Sequence, residues 1–306
     1  MPSKESQPPI QIGINPWAGY AFALLADDLG YLDVNGEKKI VFINYASLTD
    51  SKLAYINGNI DGLFSTMLEV VEIAQISNII PSIVMVTNFS NGSDKILAKK
   101  GIENITDIKG KTIAVEMGSI GEYVLNRALS INGIPFSDVT LLDVKAKNIP
   151  SLFMKDMIDV AVTYPPYSYL IVQHAPNEIF HSGLIHNEIV DLLSINNEII
   201  KDRPDDIKIL IKGWLRAYDY YLKNPVKAHA LITMHKGFEN INIDDELSKL
   251  SLVNYSDQST FFAVGGKLEN SYNNVLNYMS EQGVMVGDMG KNEIINERVL
   301  SLFPKK

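Results

Sequence analysis

Apolar and polar positions alternate from Ile10 to Asn15, and Pro16 closes the run, which predicts a short strand. Over Gly19 to Leu29 the period lengthens. Phe22, Leu25 and Leu29 share one face and Gly30 terminates it, so a helix is expected. The succession then repeats: a strand over Ile40 to Tyr45, a short helix over Ser51 to Asn57 stopped by Gly58, and a strand over Asp61 to Thr66. A helix over Leu68 to Ile76 and a strand over Pro81 to Thr87 follow. Strands alternating with helices predict an α/β fold whose sheet is mostly parallel and covered on both faces.

The pattern breaks at Asn88 to Asp94 and in the polar stretch Lys99 to Lys111, then restarts. Thr112 to Glu116 reads as a strand, Ile120 to Asn132 as a helix ended by Gly133, and Thr140 to Val144 as a strand. A helix over Ile149 to Met157, a strand over Asp159 to Thr163 and a helix after Pro165 complete a second unit. From Arg203 onward nearly everything reads as helix, with Ile207, Leu210, Ile211, Trp214, Leu215, Tyr218 and Leu222 in amphipathic spacing. An internal echo links the units. Asn59 to Thr66 and Met157 to Thr163 each follow a short helix, carry Ile-Asp, and run through an apolar strand to a threonine. Two lobes built alike are expected.

Composition narrows the class. A chain of 306 residues with 46% hydrophobic and 21% charged residues is that of a globular protein with a sizeable core, and its length fits about two domains. The net charge of −9 provides no basic field to attract phosphate backbones, so nucleic-acid binding is not expected. With no cysteine, disulfides, thiolate catalysis and zinc–sulfur sites are excluded. No apolar run reaches the ~18 residues that suggest a membrane span. Residues 1–9 are polar and proline-containing and read as a flexible segment.

In an open α/β sheet ligands bind beyond the carboxyl ends of the strands, which makes the residues just after each strand informative. These are Trp17 and Tyr20, Ser47 and Asp50, Thr66 and Glu69, then Glu116 and Ser119, and Tyr164. Each has a structural reading beside the functional one. Trp17 either plugs the sheet edge or lines a pocket, whereas Tyr20, in a first helical turn, aims its hydroxyl inward. Asp50 is expected to cap the helix beginning at Ser51. Ser119 and Glu122 form a capping box, although the free amides of that helix start also suit a ligand acceptor. Glu69 lies in a first helical turn that stabilises a carboxylate unaided. Glu116 and Asp191, each a carboxylate among apolar strand residues, need a partner from ligand or protein. Tyr164, preceding Pro165 and Pro166, is held extended with its ring away from the following helix.

Enzyme signatures are missing: there is no phosphate loop, HExxH, GxSxG or EF-hand loop, and Gly118 and Gly121 lack the third glycine of a dinucleotide fingerprint. The histidines, His174, His181, His186, His229 and His235, have no ligand spacing. No cofactor, metal or catalytic residue is expected.

Several segments in order resemble the periplasmic-type solute-binding proteins of ABC importers, in the nitrate, taurine and thiamine-precursor branch called NMT1/THI5-like. They are Gly13 to Tyr20, Leu29 to Leu32, Ser47 to Ser51, Asn57 to Gly62, Phe89 to Asp94, Asp107 to Lys111 and Ile158 to Ala161, spanning roughly residues 10–225. Beyond about residue 240 no motif matches. The resemblance implies a two-lobed type II periplasmic binding fold with its ligand cleft at the hinge, residues 10–90 plus 197–306 forming one lobe and 95–190 the other. Crossovers would lie near Thr87 to Lys95, which brings Asn91 into the site, and near Val190 to Asn196, which brings in Asp191. It also implies a monomer that is periplasmic or extracellular and membrane-attached, its signal or anchor segment not in this chain, with a small-molecule ligand and an ABC permease as partners. The alternatives are a sensor domain of a membrane receptor, with a signalling domain as partner, and an enzyme like the thiamine-precursor synthases, which needs a histidine in the cleft.

Arginine occurs only at Arg127, Arg203, Arg216 and Arg298, none after a predicted strand end, so a bidentate clamp on sulfonate, phosphate or carboxylate is not expected. Acids crowd the loops instead: Asp50, Glu69, Asp94, Glu116 and Asp191. With Trp17, Tyr20 and Tyr164 they favour a neutral or cationic nitrogen-containing ligand, a pyrimidine-like thiamine precursor or small amine ahead of nitrate or taurine.

Overall fold

The computed structural model describes residues 7–239, 241–284 and 290–304; residues 1–6 of the expected flexible segment lie outside the described residues. The strands are β1 (Ile10–Ile14), β2 (Asp33–Val34), β3 (Glu37–Lys38), β4 (Ile40–Asn44), β5 (Gly62–Thr66), β6 (Pro81–Ser90), β7 (Lys95–Ala98) and β8 (Thr112–Val115). They continue with β9 (Thr140–Asp143), β10 (Val160–Thr163), β11 (Asn177–His181), β12 (Val190–Asn196) and β13 (Leu250–Leu252). A six-stranded sheet has the order β13-β6-β12-β5-β1-β4, a five-stranded sheet the order β11-β7-β10-β8-β9, and β2 with β3 makes a small hairpin.

Both sheets are mixed rather than mostly parallel. The pairs β1–β4, β1–β5, β8–β9 and β8–β10 are parallel, as helical crossovers require. Strand β12 runs antiparallel between β5 and β6, and β7 runs antiparallel between β10 and β11. These antiparallel strands are the ones that carry the chain between the sheets. Strand β6 leads through 91–94 into β7, and β11 leads through 182–189 into β12. Ser182 ties the two crossovers together: its hydroxyl lies 2.7 Å from that of Ser90 and accepts from the Gly92 amide at 2.8 Å, while its own amide donates to the Asp94 carbonyl at 2.9 Å.

Helices α1 (Ala21–Asp28), α2 (Leu48–Ile56), α3 (Met67–Ile76), α4 (Ile120–Ile131), α5 (Ile149–Met154) and α6 (Tyr167–Val172) connect the strands of the two sheets. The C-terminal third supplies α7 (Asn197–Asp202), α8 (Pro204–Lys223), α9 (Pro225–Ile232), α10 (Ile243–Ser248), α11 (Gln258–Phe262), α12 (Lys267–Glu281) and α13 (Lys291–Ile294). The apolar stripe of α8 packs against α1. Phe22 of α1 packs edge-on to Trp214 at 5.3 Å and to Tyr218 at 5.0 Å.

Three expectations shift. Helix α2 begins at Leu48, not Ser51, because Ser47 caps it by accepting from the Asp50 amide at 3.2 Å. Strand β6 runs to Ser90, past the polar residues that suggested a break. Asn88 and Ser90 are buried and bonded, so their polarity marks internal partners and not a loop. The C-terminal third also holds a strand, β13, too short for periodicity to register, which pairs with β6 from Leu250 opposite Ser90 to Leu252 opposite Asn88. Beyond its end Gln258 stands in for a strand: its carboxamide accepts from the Val86 amide at 3.0 Å and donates to the Val86 carbonyl at 2.7 Å. Replacing Gln258 by Leu strands both Val86 groups in the interior and is expected to cost about 1–3 kcal/mol, measured as a lower urea midpoint without a change in slope.

Candidate functional site

The parallel strands of both sheets point their carboxyl ends at one cleft. Between the sheets lies a narrow cavity with about 280 Å³ of empty volume. It is lined by Asn15, Trp17 and Tyr20 after β1, Leu48 at the start of α2, Thr66 at the end of β5, and Ile189 and Asp191 around the start of β12. The other wall is Asp94 before β7, Ile120 at the start of α4 and Tyr164 after β10. Of the residues singled out from the sequence, Trp17, Tyr20, Thr66, Tyr164 and Asp191 meet here. Trp17 and Tyr164 meet edge-on at 6.4 Å across the cleft, and Tyr20 lies over Phe64 at 4.9 Å.

At the floor, the Tyr20 hydroxyl donates to Asp191 Oδ1 at 2.5 Å and the Asn88 carboxamide donates to Oδ2 at 2.7 Å. Asn88 in turn accepts from the Trp17 indole at 3.3 Å. Gly19 makes this chain possible. A Cβ there would lie 1.9 Å from Asn88 Oδ1, so no larger residue leaves room for the carboxamide.

Three acidic groups are buried around this floor, and among the described residues none of them forms an ion pair there. Burial pushes Asp191 up to about 8, against the hydrogen bonds from Tyr20 and Asn88 and reinforced by the charges of Asp94 and Glu69. Burial also pushes Asp94 up to about 6, opposed by a hydrogen bond from Ser90. Glu69 rises for the same reason, with Lys52 and Thr66 opposing. Asp94 Oδ2, Glu69 Oε1 and Asn15 Oδ1 are buried acceptors with no hydrogen-bond partner among the described residues. Among the described residues the neighbouring cation, Lys52, is held elsewhere, by Glu72 at 2.5 Å and by the Gly118 carbonyl at 3.1 Å.

The other candidates sit outside this lining. Glu69 forms a capping box on α3, one oxygen accepting from the Thr66 amide at 3.0 Å and from its hydroxyl at 2.5 Å. Ser119 caps α4 by accepting from the Gly121 amide, but Glu122 accepts from Gly118, one residue before the position a capping box uses. Glu116 finds its partners in protein: Lys145 at 3.0 Å and the Ala146 amide at 3.0 Å. With Ser47, Asp50 and Lys145 it lines a separate groove at the cleft edge, where Lys145 also reaches Asp50 at 3.4 Å. Asp50 therefore answers Lys145 and does not cap α2. Asn91 is exposed on the first crossover. Sequence reasoning missed Asn15, Leu48, Ile120 and Ile189 as lining residues and gave Asp94 only as a loop acid. For Asn15 the signal was present, since it directly follows β1.

Contacts also cross the cleft directly. The Tyr167 hydroxyl donates to the Ala46 carbonyl at 2.6 Å, Tyr169 donates to Glu246 at 2.6 Å, and Lys52 reaches Gly118 as above.

The family model described as NMT1/THI5 like matches residues 20–228, more than half of the chain. A protein of Brucella abortus (strain 2308) described as a binding protein is 25% identical over 167 residues, 53% of this chain and 52% of the relative. The chain thus spans about half the length of the curated relatives it matches. Among solved structures, the periplasmic aliphatic sulphonate binding protein SsuA from Escherichia coli matches with a TM-score of 0.74 at 15% identity, covering 96% of this chain and 99% of that one. The periplasmic nitrate-binding protein NrtA from Synechocystis PCC 6803 matches with a TM-score of 0.71 at 10% identity, covering 95% and 87%. At these identities the likeness is one of fold, and the fold is that of periplasmic binding proteins.

The raised carboxyls make stability depend on pH. Asp191 and Asp94 hold protons in the folded state that the unfolded chain releases near pH 4, so their contribution is full below that value. It is lost as pH rises through about 6 for Asp94 and about 8 for Asp191. The unliganded protein is expected to melt at progressively lower temperature from pH 5 to pH 9, and Asp191→Asn to flatten the upper part of that decline in a thermal-unfolding series.

Proposed function

The chain belongs to the NMT1/THI5-like family, and from that premise we propose that it is an extracytoplasmic solute-binding protein that captures a small nitrogen-containing ligand and delivers it to an ABC permease. One observation carries the choice of ligand. The cavity presents two buried acceptors, Asn15 Oδ1 and Asp94 Oδ2, without donors to fill them among the described residues. A ligand that brings N–H groups, and best a positive charge, relieves that cost, whereas an anion adds to it. The aromatic walls of Trp17, Tyr20 and Tyr164 suit a flat or cationic group.

Two features weigh against the sulfonate and nitrate named for the structural neighbours. The helix starts nearest the cleft, those of α2, α3 and α4, are capped by their own Ser47, Thr66 and Ser119, which occupies amides an anion would use. Arg127 is committed to Glu188. Binding is favoured over catalysis because no histidine is among the lining residues. Residues 10–90 with those from 197 onward act as one lobe and 95–190 as the other, turning about the crossovers that Ser182 joins. A ligand touching Tyr20 and Asp191 on one side and Tyr164 on the other favours the closed form, which is the form a permease would recognise.

Titration calorimetry with small amines, an aminopyrimidine, nitrate and alkanesulfonates tests the ligand class. Amines or the aminopyrimidine are expected to bind, and Asp94→Asn to weaken them about 10- to 100-fold by removing a charge-assisted hydrogen bond, with the circular dichroism unchanged. Binding of nitrate or sulfonates in place of the nitrogen bases overturns the assignment.

A further inference from the structure

Tyrosines crowd the short stretch from Tyr164 to Tyr169, and each reaches out of its own half of the molecule. Tyr164 meets Trp17 edge-on at 6.4 Å in the cleft, the Tyr167 hydroxyl donates to the Ala46 carbonyl at 2.6 Å, and the Tyr169 hydroxyl donates to Glu246 at 2.6 Å. Their spacing explains how one stretch does this. The Ser168 amide donates to the Tyr164 carbonyl at 3.0 Å, so the helical turn starts there, and Tyr164 packs edge to face on Tyr167 at 5.6 Å. Tyr167 and Tyr169, two residues apart, lie about 200° from each other round a helix of 3.6 residues per turn and point to opposite sides. Helix α6 is therefore gripped on two sides by the other half, while Ile171, buried in one cluster with Phe153 of α5, anchors it in its own.

Both hydroxyls land beside the cavity. Ala46 precedes Ser47, the cap of α2, and so lies two residues before the lining residue Leu48. Glu246 of α10 is buried and also accepts from the Ser93 hydroxyl at 2.9 Å, and Ser93 precedes the lining residue Asp94. Lys249 donates to Glu246 as well, at 2.6 Å, and its carbonyl accepts from the Asn91 amide at 2.8 Å, so one short segment holds the first crossover and α6 together. We infer that Tyr167 and Tyr169 are positioning residues for ligand capture: they hold Tyr164 against the cavity, favour the arrangement in which the halves touch, and so slow the escape of a bound ligand. This role rests on the lobe-closure reading above and adds the residues that set its balance. Neither hydroxyl is needed for folding. Glu246 keeps Ser93 and Lys249 when Tyr169 is lost, and Ala46 is half-buried at the edge groove, where water can replace Tyr167.

The chain has no cysteine, so nitroxides at Leu53→Cys on α2 and Leu142→Cys on β9, both exposed, report the distance between the halves by double electron–electron resonance. In the full chain, with and without added 4-aminopyrimidine, Tyr167→Phe and Tyr169→Phe are each expected to raise the ratio of long- to short-distance molecules about two- to tenfold, and the double variant more. Tyr221→Phe is the control. It removes a hydroxyl bonded to Asp244 within one half, and is expected to lower the melting temperature without moving the distances. Once 4-aminopyrimidine is bound, its dissociation is expected to quicken by a similar factor in the two cleft variants, with association little changed. Distances untouched by both variants, or moved equally by Tyr221→Phe, overturn the proposal. A distance that 4-aminopyrimidine shortens but the variants leave alone overturns it while keeping lobe closure. Failure of 4-aminopyrimidine to bind counts against the reading of the ligand and leaves the ligand-free distances to decide this one.

Discussion

The carboxylate of Asp191 is buried where three stretches of chain converge, and the floor of the cleft is arranged around it. Its oxygens take the Tyr20 hydroxyl and the Asn88 carboxamide, its backbone carbonyl takes the Thr87 hydroxyl at 3.1 Å, and Trp17 is anchored to the same Asn88. Burying an ionised carboxylate is expensive unless donors surround it, and here the donors are neutral. The hydrogen bonds fix the geometry of the turn after β1, of β6 and of β12, but they do not offset burial, which raises Asp191 to about 8 and leaves it largely protonated at neutral pH. Burial raises Asp94 and Glu69 in the same way.

The halves lean on each other through contacts that are individually modest. Tyr167 to Ala46, Tyr169 to Glu246 and Lys52 to Gly118 are single hydrogen bonds across the cleft, and the Lys145 pairs with Glu116 and Asp50 sit at its edge. Each such bond is worth about 0.5–1.5 kcal/mol net, and pairs at the edge less. The crossovers are joined to each other through Ser182.

Much of the fold was legible because its signals are local. Gly62 to Thr66 and Val160 to Thr163 are buried on both faces, so they read as continuous apolar runs, and the helices between strands show their apolar stripes. The strand ends located the cleft, since parallel strands deliver their carboxyl ends to one side of a sheet. What misled the reading was polarity with a hidden partner. Asn88 and Ser90 looked like a loop because their bonds go to Asp191 and Ser182, and Glu116 looked like a ligand group because Lys145 and Ala146 are invisible from its own strand. Strand β13 escaped because three residues carry no periodicity, and the antiparallel placement of β7 and β12 escaped because pairing direction is not written in hydropathy.

The sequence by itself determined the alternation of elements, the acidic and arginine-poor character of the strand ends, and the family. Each of these follows from residues near one another along the chain, where spacing and turn chemistry act. Only the tertiary structure decided which carboxylates are satisfied and which are not. Tyr20 and Asp191 lie 171 residues apart, and Asn88 and Asp191 lie 103 apart. A buried acid's behaviour is set by the donors within about 3 Å of it, and those donors come together only when the chain has folded.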